Sequence, residues 1–400
     1  SGYILELESH TCGGTLSGNT YTISNITSGK SCSITFKSSA PTLYAKLLAD
    51  KTTRPGTRTS FSSVLTADNT NTLYTSTENG TTVYYFAGNA TDNWVKFGSV
   101  SSDIVRGYGT SEFDGMYEDY NTMEECKSGT LMPQSRTYDL NQNCTYLQHG
   151  GDSIYWRIIR TNSDGGVRLL YHGTSTTATD AYIGTSAFNS SVDNIAYVSY
   201  MYGSLGSIAN ARTNQKNSST IKTYLEDWYA NYTDLNKTGT KITDQIYCND
   251  RSASSTQTAA WTSTGAKYYY GAYGRLNTNK APILTCPEES DKFTVNASNG
   301  NGALTYPVGL ITADEVAMAG GIIGSNNNNY YLYTGQKFWT ETSYSFDGYD
   351  DYAYEFTIGS LGVLNNYYLT SNNGVRPVIS LSSKVKLSGN GTWNNVYEVS

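Results

Sequence analysis

The sequence predicts an α+β fold dominated by strands, with long loops, few helices and a small all-β module at its start. Three observations carry this prediction. Short runs of alternating apolar residues are separated by Gly, Asn, Asp and Ser, the pattern of half-buried strands and turns. Only two segments carry strong helix start and stop signals. The composition is Tyr-rich and charge-poor: the 400 residues include 36 Tyr and 7 Pro, and 15% are charged, against about 25% in an average soluble chain.

The balance of 27 basic and 34 acidic residues gives a net charge of −7, which argues against a nucleic-acid partner. Aromatic residues make up 13%, too many for a disordered chain. No apolar run reaches the roughly 18–20 residues of a membrane span. No basic, apolar, small-residue leader opens the chain, so any signal peptide is expected to have been removed. Six cysteines are present, Cys12, Cys32, Cys126, Cys144, Cys248 and Cys286. None sits in a CxxC pair, and His10, His149 and His172 are scattered, so zinc is not indicated. An even count with these spacings points to disulfides in an oxidising compartment, extracellular or at the cell surface; buried free thiols are the alternative. Six cysteines allow about 15 connectivities. Pairing neighbours in sequence, Cys12–Cys32, Cys126–Cys144 and Cys248–Cys286, closes a short loop inside one module each time.

Along the chain, residues 1–40 alternate at Tyr3, Leu5 and Leu7, at Tyr21, Ile23 and Ile26, and at Ile34 and Phe36. Gly13-Gly14, Ser17-Gly18-Asn19 and Ser28-Gly29 supply turns. The stretch is short for an independent core, and a Cys12–Cys32 bridge would staple it. Residues 41–74 read as a connector, with Leu43, Leu47 and Leu48 suggesting a short helix over 41–52. Residues 75–400 read as the main domain, with 100–153 as an insertion. Within it Tyr155–Arg160 and Val167–Tyr171 flank Asn162-Ser163-Asp164-Gly165-Gly166, a hairpin turn of Asp-Gly type rather than a calcium loop. Ser219 or Thr220 caps Ile221–Tyr229, whose Ile221, Leu225, Trp228 and Tyr229 share one face. Thr312-Ala313-Asp314-Glu315 is a capping box leading to a stop at Gly320-Gly321. Val375–Leu381 is an apolar strand, and another is expected over Val396–Val399.

No catalytic signature appears: there is no HExxH, GxSxG, phosphate-binding loop or GxGxxG before a helix. The three histidines read as loop or surface residues. The acid pairs Asp350-Asp351 and Glu124-Glu125 read as solvated loop carboxylates rather than a general acid and base. No metal or organic cofactor is expected. Asp347, Asp350 and Asp351 are the carboxylates that a calcium ion would find.

Several strings resemble bacterial surface proteins with a C-type-lectin-like fold related to formylglycine-generating enzymes. They are Tyr84-Tyr85-Phe86-Ala87-Gly88-Asn89, Asn93-Trp94-Val95-Lys96-Phe97-Gly98 and Tyr155-Trp156-Arg157-Ile158-Ile159-Arg160. Further strings lie at Ile183–Asn189, Cys248-Asn249-Asp250-Arg251-Ser252, Leu304–Ile311 and Gly374-Val375-Arg376-Pro377-Val378-Ile379. The first 40 residues are similar to the Ig-like β-repeats that precede such domains. The resemblance implies a display scaffold whose loops bind, as part of a longer surface-anchored protein. It does not carry over enzyme activity, because no cysteine follows Cys286. Nor does it carry over calcium-dependent sugar binding, because the Glu-Pro-Asn and Trp-Asn-Asp signatures are missing.

The segment Trp339–Asn373 concentrates Tyr, Asp, Asn and Ser just before the closing strand. That placement resembles the targeted region of variable proteins of diversity-generating retroelements. It would loop out over one surface and bind a protein or glycan. The expected ligand-binding residues are Tyr344, Phe346, Tyr349, Asp350, Asp351, Tyr352, Tyr354, Tyr367 and Tyr368, with Trp339 in the core. Alternation at 350–356 also allows a hairpin with every second aromatic buried. The leading functional reading is a non-enzymatic adhesion or ligand-binding module. The alternatives are a structural pilin or stalk subunit, and an unrecognised enzyme on a formylglycine-generating-enzyme-like fold.

Overall fold

The computed structural model describes residues 4–17, 20–29, 31–39, 41–108, 117–128, 143–179, 181–258, 260–261 and 264–399. The fold is strand-rich with few helices, as the alternation predicts. Three disulfides form, Cys12–Cys32, Cys126–Cys144 and Cys248–Cys286, the pairing of sequence neighbours.

In the first 40 residues, Ile4–His10 pairs antiparallel with Ile34–Ser39. A small hairpin joins Thr15–Ser17 to Thr20–Thr22, and Cys12–Cys32 ties the two pairs together. The segment 41–74 carries more structure than the expected connector. Thr42 caps the helix Leu43–Asp50, and Leu43 and Leu47 enter the main core. Thr52–Thr57 then pairs in parallel with Thr72–Glu78 at the edge of the largest sheet. Thr and Arg residues that read as linker are compatible with an edge strand, where only one side must pair.

The largest sheet has nine strands built around Ser153–Thr161. That strand pairs with Trp94–Ser99 along its first half, meets Thr81–Tyr85 at Arg160, and pairs with Val167–Gly173 on its other side. Val167–Gly173 in turn pairs with Val378–Leu381. The hairpin strands are buried on both faces, which explains their nearly unbroken apolar runs. Their turn is closed by Asn162 N–H donating to the Gly166 carbonyl at 2.8 Å, with Gly165 at φ 81° and Asp164 Oδ1 accepting from Gly166 N–H. Trp156 lies fully buried, its Nε1–H donating to the Phe97 carbonyl at 2.7 Å.

The two expected helices form. Ser219 caps Thr220–Asn231 through Lys222 N–H, and Ile221, Leu225, Trp228 and Tyr229 are buried on one side. The capping box at Thr312 and Glu315 opens Ala313–Ala319, which stops at Gly320 with φ 122°. Residues 100–153 contribute their own three-stranded sheet, Tyr117–Tyr120, Ile104–Tyr108 and Cys144–Gln148, with the helix Met123–Ser128.

Buried ion pairs hold the loops between these elements. Arg160 and Arg168 both reach Glu315, and Arg160 also reaches Glu78. Arg275 bridges Asp250 and Asp314. Arg251, 1% exposed, pairs with Asp291 and also donates to the Met201 and Ala211 carbonyls. The string Cys248–Ser252 is therefore a staple that fixes surrounding loops. A buried charge needs such full pairing to be tolerated. Among the described residues, no helix is long and apolar enough to cross a membrane.

Candidate functional site

The segment before the closing strand is a sheet rather than a long loop. Phe338–Asp347, Tyr352–Ile358 and Leu364–Tyr368 run antiparallel in sequence, and Lys267–Tyr269 adds to the other edge of the first strand. Gly348, Asp350 and Asp351 fall in the connection 348–351, with Asp351 at φ 58°, and Gly359 and Gly362 in the connection 359–363. Tyr352–Ile358 and Leu364–Tyr368 pair without a register slip, so side chains alternate between their two faces.

Period-2 alternation places Tyr352, Tyr354 and Phe356 on one face, and Tyr368 lies directly opposite Tyr354. The Tyr368 ring centroid is 4.8 Å from that of Tyr352 and 5.0 Å from that of Tyr354. The register of Phe338–Asp347 slips between Ser343 and Ser345. This bulge turns Tyr344 to the same side, where its ring meets Phe356 at 4.8 Å. Beyond Tyr344 come Tyr273 at 5.3 Å and Tyr269 at 6.2 Å, themselves stacked at 4.0 Å. Six tyrosines thus share one face in two ring clusters, Tyr352, Tyr354 and Tyr368 in one and Tyr344, Tyr273 and Tyr269 in the other, with the buried Phe356 against Tyr344. Tyr352 and Tyr368 are each 41% exposed, while Tyr269, Tyr273, Tyr344 and Tyr354 are half-buried. Tyr349, 74% exposed, stands at the tip of the turn with Asp350 and Asp351.

Two expected contact residues go elsewhere. Phe346, paired with Ala353, faces inward and is fully buried. Tyr367, paired with Glu355, alternates to the opposite face, where Lys337 Nζ lies 4.7 Å from its ring. Trp339 is in the core, and its Nε1–H donates to the Ser186 carbonyl. The alternation that buries Phe346 also exposes Tyr352, so one rule decides both. Tyr269 and Tyr273 escaped sequence reasoning because a pairing from about 75 positions away brings them in. The run Lys267-Tyr268-Tyr269-Tyr270 is the signal that was available.

The electrostatics of the band are those of neutral hydroxyls with one ion pair at the end. Burial raises the Tyr344 hydroxyl pKa, and neighbouring Tyr273 and Tyr269 add to it. Burial and the Tyr368 hydrogen bond raise that of Tyr354. Asp347 feels some burial, but the Lys267 ammonium at 3.0 Å and the Tyr349 N–H outweigh it and hold the carboxyl below its usual range. Asp347 is thereby committed to Lys267, and no cluster of three metal-ligating side chains occurs among the described residues.

Beneath the sheet lie two buried glutamates. Asn249 Nδ2–H donates to the Glu341 carbonyl at 2.8 Å, to Ser343 Oγ and to Glu355 Oε1. Glu341 Oε2 accepts from Leu310 N–H, while Glu341 Oε1 and Glu355 Oε2 have no partner. Burial pushes Glu341 up to about 8, and burial with the neighbouring Glu341 charge pushes Glu355 well above the usual range. Both carboxyls are fully enclosed.

Compared with protein-family models, curated proteins and solved structures, the chain matches none of them.

Proposed function

We propose that this chain is a non-enzymatic ligand-binding or adhesion module of an extracellular surface, engaging a protein or glycan through the tyrosine band. The observation that carries the reading is the face that gathers two tyrosine clusters, Tyr352, Tyr354 and Tyr368 and Tyr344, Tyr269 and Tyr273, with Tyr349 at its tip. Tyrosine offers large amphipathic contact area and loses little side-chain entropy on binding, the chemistry of an antibody paratope. Asn366 beside Tyr344 adds a polar group to the same face. The three disulfides fit an oxidising, extracellular setting. The C-type-lectin-like architecture belongs to this proposal. It is supported by the strings quoted above and by Val378–Leu381 pairing with Val167–Gly173 at the end of the largest sheet. Diversification of 339–373 by a retroelement also belongs here, and a reverse transcriptase gene beside a near-repeat of these codons would test it.

An enzyme would need accessible titratable groups, and the most perturbed carboxyls, Glu341 and Glu355, are sealed from solvent. A stalk or pilin subunit would self-associate. The experiment is binding of the purified chain to immobilised glycans and to cells, beside a Tyr352→Ala/Tyr368→Ala variant of unchanged circular dichroism. Hot-spot aromatics cost on the order of 2 kcal/mol when truncated, so binding should weaken at least about tenfold. Equal binding by the variant would overturn the assignment of this face. Concentration-dependent self-association abolished by the same variant would favour the subunit reading.

A further inference from the structure

A second site lies at a different place in the fold and shares no residue with the tyrosine band. A cleft of about 380 Å³ opens where Trp94, Arg157 and His172 come together from three strands of the largest sheet. Its other walls are Tyr330, Tyr331 and Tyr333 from one loop and Trp393 from another. The loops are pinned: Tyr331 N–H donates to the Gly88 carbonyl, and Trp94 N–H to the Gly391 carbonyl, both at 2.9 Å. The volume is in the range of small-molecule sites, roughly 300–1,000 Å³.

The cleft floor holds uncompensated positive charge. The Arg157 guanidinium lies 4.0 Å over the Trp94 ring and is 6% exposed. Its Nε–H donates to Asn93 Oδ1 and its Nη2–H to the Ala90 carbonyl, which leaves Nη1 for a ligand. Behind it Arg376, 1% exposed, donates to the Tyr171 and Leu332 carbonyls, and its Nη2 has no partner. Neither arginine forms an ion pair among the described residues. The acid nearest in effect, Asp92, is held by the buried Lys51 ammonium at 2.5 Å. The other arginines of the core, Arg160 and Arg168, are balanced by Glu78 and Glu315. Burial lowers the pKa of Arg157 and of Arg376 to about 9 each, so both stay charged at neutral pH. Burial and these two cations drive His172 well below its usual value, so it is neutral.

Two more buried groups at the cleft lack partners. Among the described residues His172 Nδ1 and the Tyr331 hydroxyl find no hydrogen-bond partner, and their residues are 8% and 4% exposed. Buried polar atoms without partners are costly and rare. Here they are sealed beneath one cationic cleft, and of the floor's cationic atoms Arg157 Nη1 is the one left to meet a carboxylate. Above them Trp393 is 64% exposed at the mouth, and Asn89, Thr91 and Asn328 supply a polar rim. An indole face beside amide and hydroxyl groups suits a ring that is apolar on one face and hydroxylated at its edge.

We propose that this cleft binds a carboxylate-bearing sugar, with the carboxylate on the Arg157 guanidinium and the ring against Trp94 and Trp393. The experiment titrates the full chain with sodium glucuronate and with N-acetylneuraminate, using glucose and N-acetylglucosamine as uncharged counterparts. Calorimetry and tryptophan fluorescence are the readouts. A glycan ending in N-acetylneuraminate separates a free acid from a chain end as the source. Saturable binding of at least one acidic ligand is expected, with both uncharged sugars at least about tenfold weaker. Arg157→Lys keeps the charge but loses the fork, and should weaken binding at least about tenfold. Because that substitution is buried, Trp393→Ala is the second test. It removes an exposed wall, and should weaken the same ligand severalfold with an unchanged melting temperature. Tyr352→Ala/Tyr368→Ala should leave this binding intact, so failure of the tyrosine band and failure of the cleft are separable. No saturation by any acidic ligand, equal binding of the uncharged sugars, or unchanged affinity in Trp393→Ala overturns the proposal.

Discussion

Glu341 shows how one residue can make stability depend on pH. Its carboxyl sits in a dry core with one oxygen unpartnered, and burial holds its pKa at about 8. The unfolded chain restores the ordinary glutamate value, so between the two values the folded state binds the extra proton. Stability from this group is therefore complete below the unfolded value and is lost as pH rises through about 8. Glu355 has the same sign. Thermal melts should fall in midpoint across that window, and Glu341→Gln, which cannot ionise, should flatten the fall. An identical slope in the variant would remove Glu341 as the cause. At this scale the sequence was only partly legible. Tyr352, Tyr354 and Tyr368, named from the sequence as contact residues, come together because strand pairing gathers them. Phe346 was misplaced because a neighbouring position differs only in which face it takes, and the turn at 348–351 sets that register. Glu341 and Glu355 left no signal, because burial is a property of the assembled core and not of the string around them.

The elements were more legible than the residues. Helix starts are encoded locally, so Ser219 and the Thr312/Glu315 box marked their helices in advance. Ser219→Ala should cost about 1 kcal/mol in chemical denaturation, and Ser219→Thr, which keeps the capping hydroxyl, should restore most of it. A loss below a few tenths would mean that Ile221, Leu225 and Trp228 packing alone fixes this end. The hairpin turn offers a cleaner test of backbone strain. A methyl at Gly165 would meet only the Ser383 Cβ at 3.4 Å, an ordinary contact, yet φ there is 81°. Gly165→Ala should therefore cost about 1 kcal/mol through conformation alone, whereas Gly165→Asn should cost less. Edge pairings were illegible by comparison. Thr52–Thr57 joins the sheet through Thr72–Glu78, and nothing within either segment announces the other.

In the whole molecule, the disulfides keep to local partners. Peptide mapping without reduction should recover Cys12–Cys32, Cys126–Cys144 and Cys248–Cys286 alone. Each bridge contributes on the order of 2–4 kcal/mol by restricting the unfolded chain. A bridge between the first 40 residues and Cys248 or Cys286 would contradict this arrangement. The sheet has the opposite character. Trp94–Ser99 lies in parallel beside Tyr397–Val399, with Lys96 against Glu398, and the central hairpin takes Val378–Leu381 as its neighbour. The strands that synthesis delivers early thus wait, with edges unpaired, for strands delivered some 200 to 300 residues later. Long-range closure of this kind is slow and leaves nascent edges open to other chains. A chain shortened to residue 370 should retain its local bridges yet aggregate, because Val167–Gly173 would keep Ser153–Thr161 on one side and expose its other edge. The sheet therefore closes only once Val378–Leu381 and Tyr397–Val399 are in place.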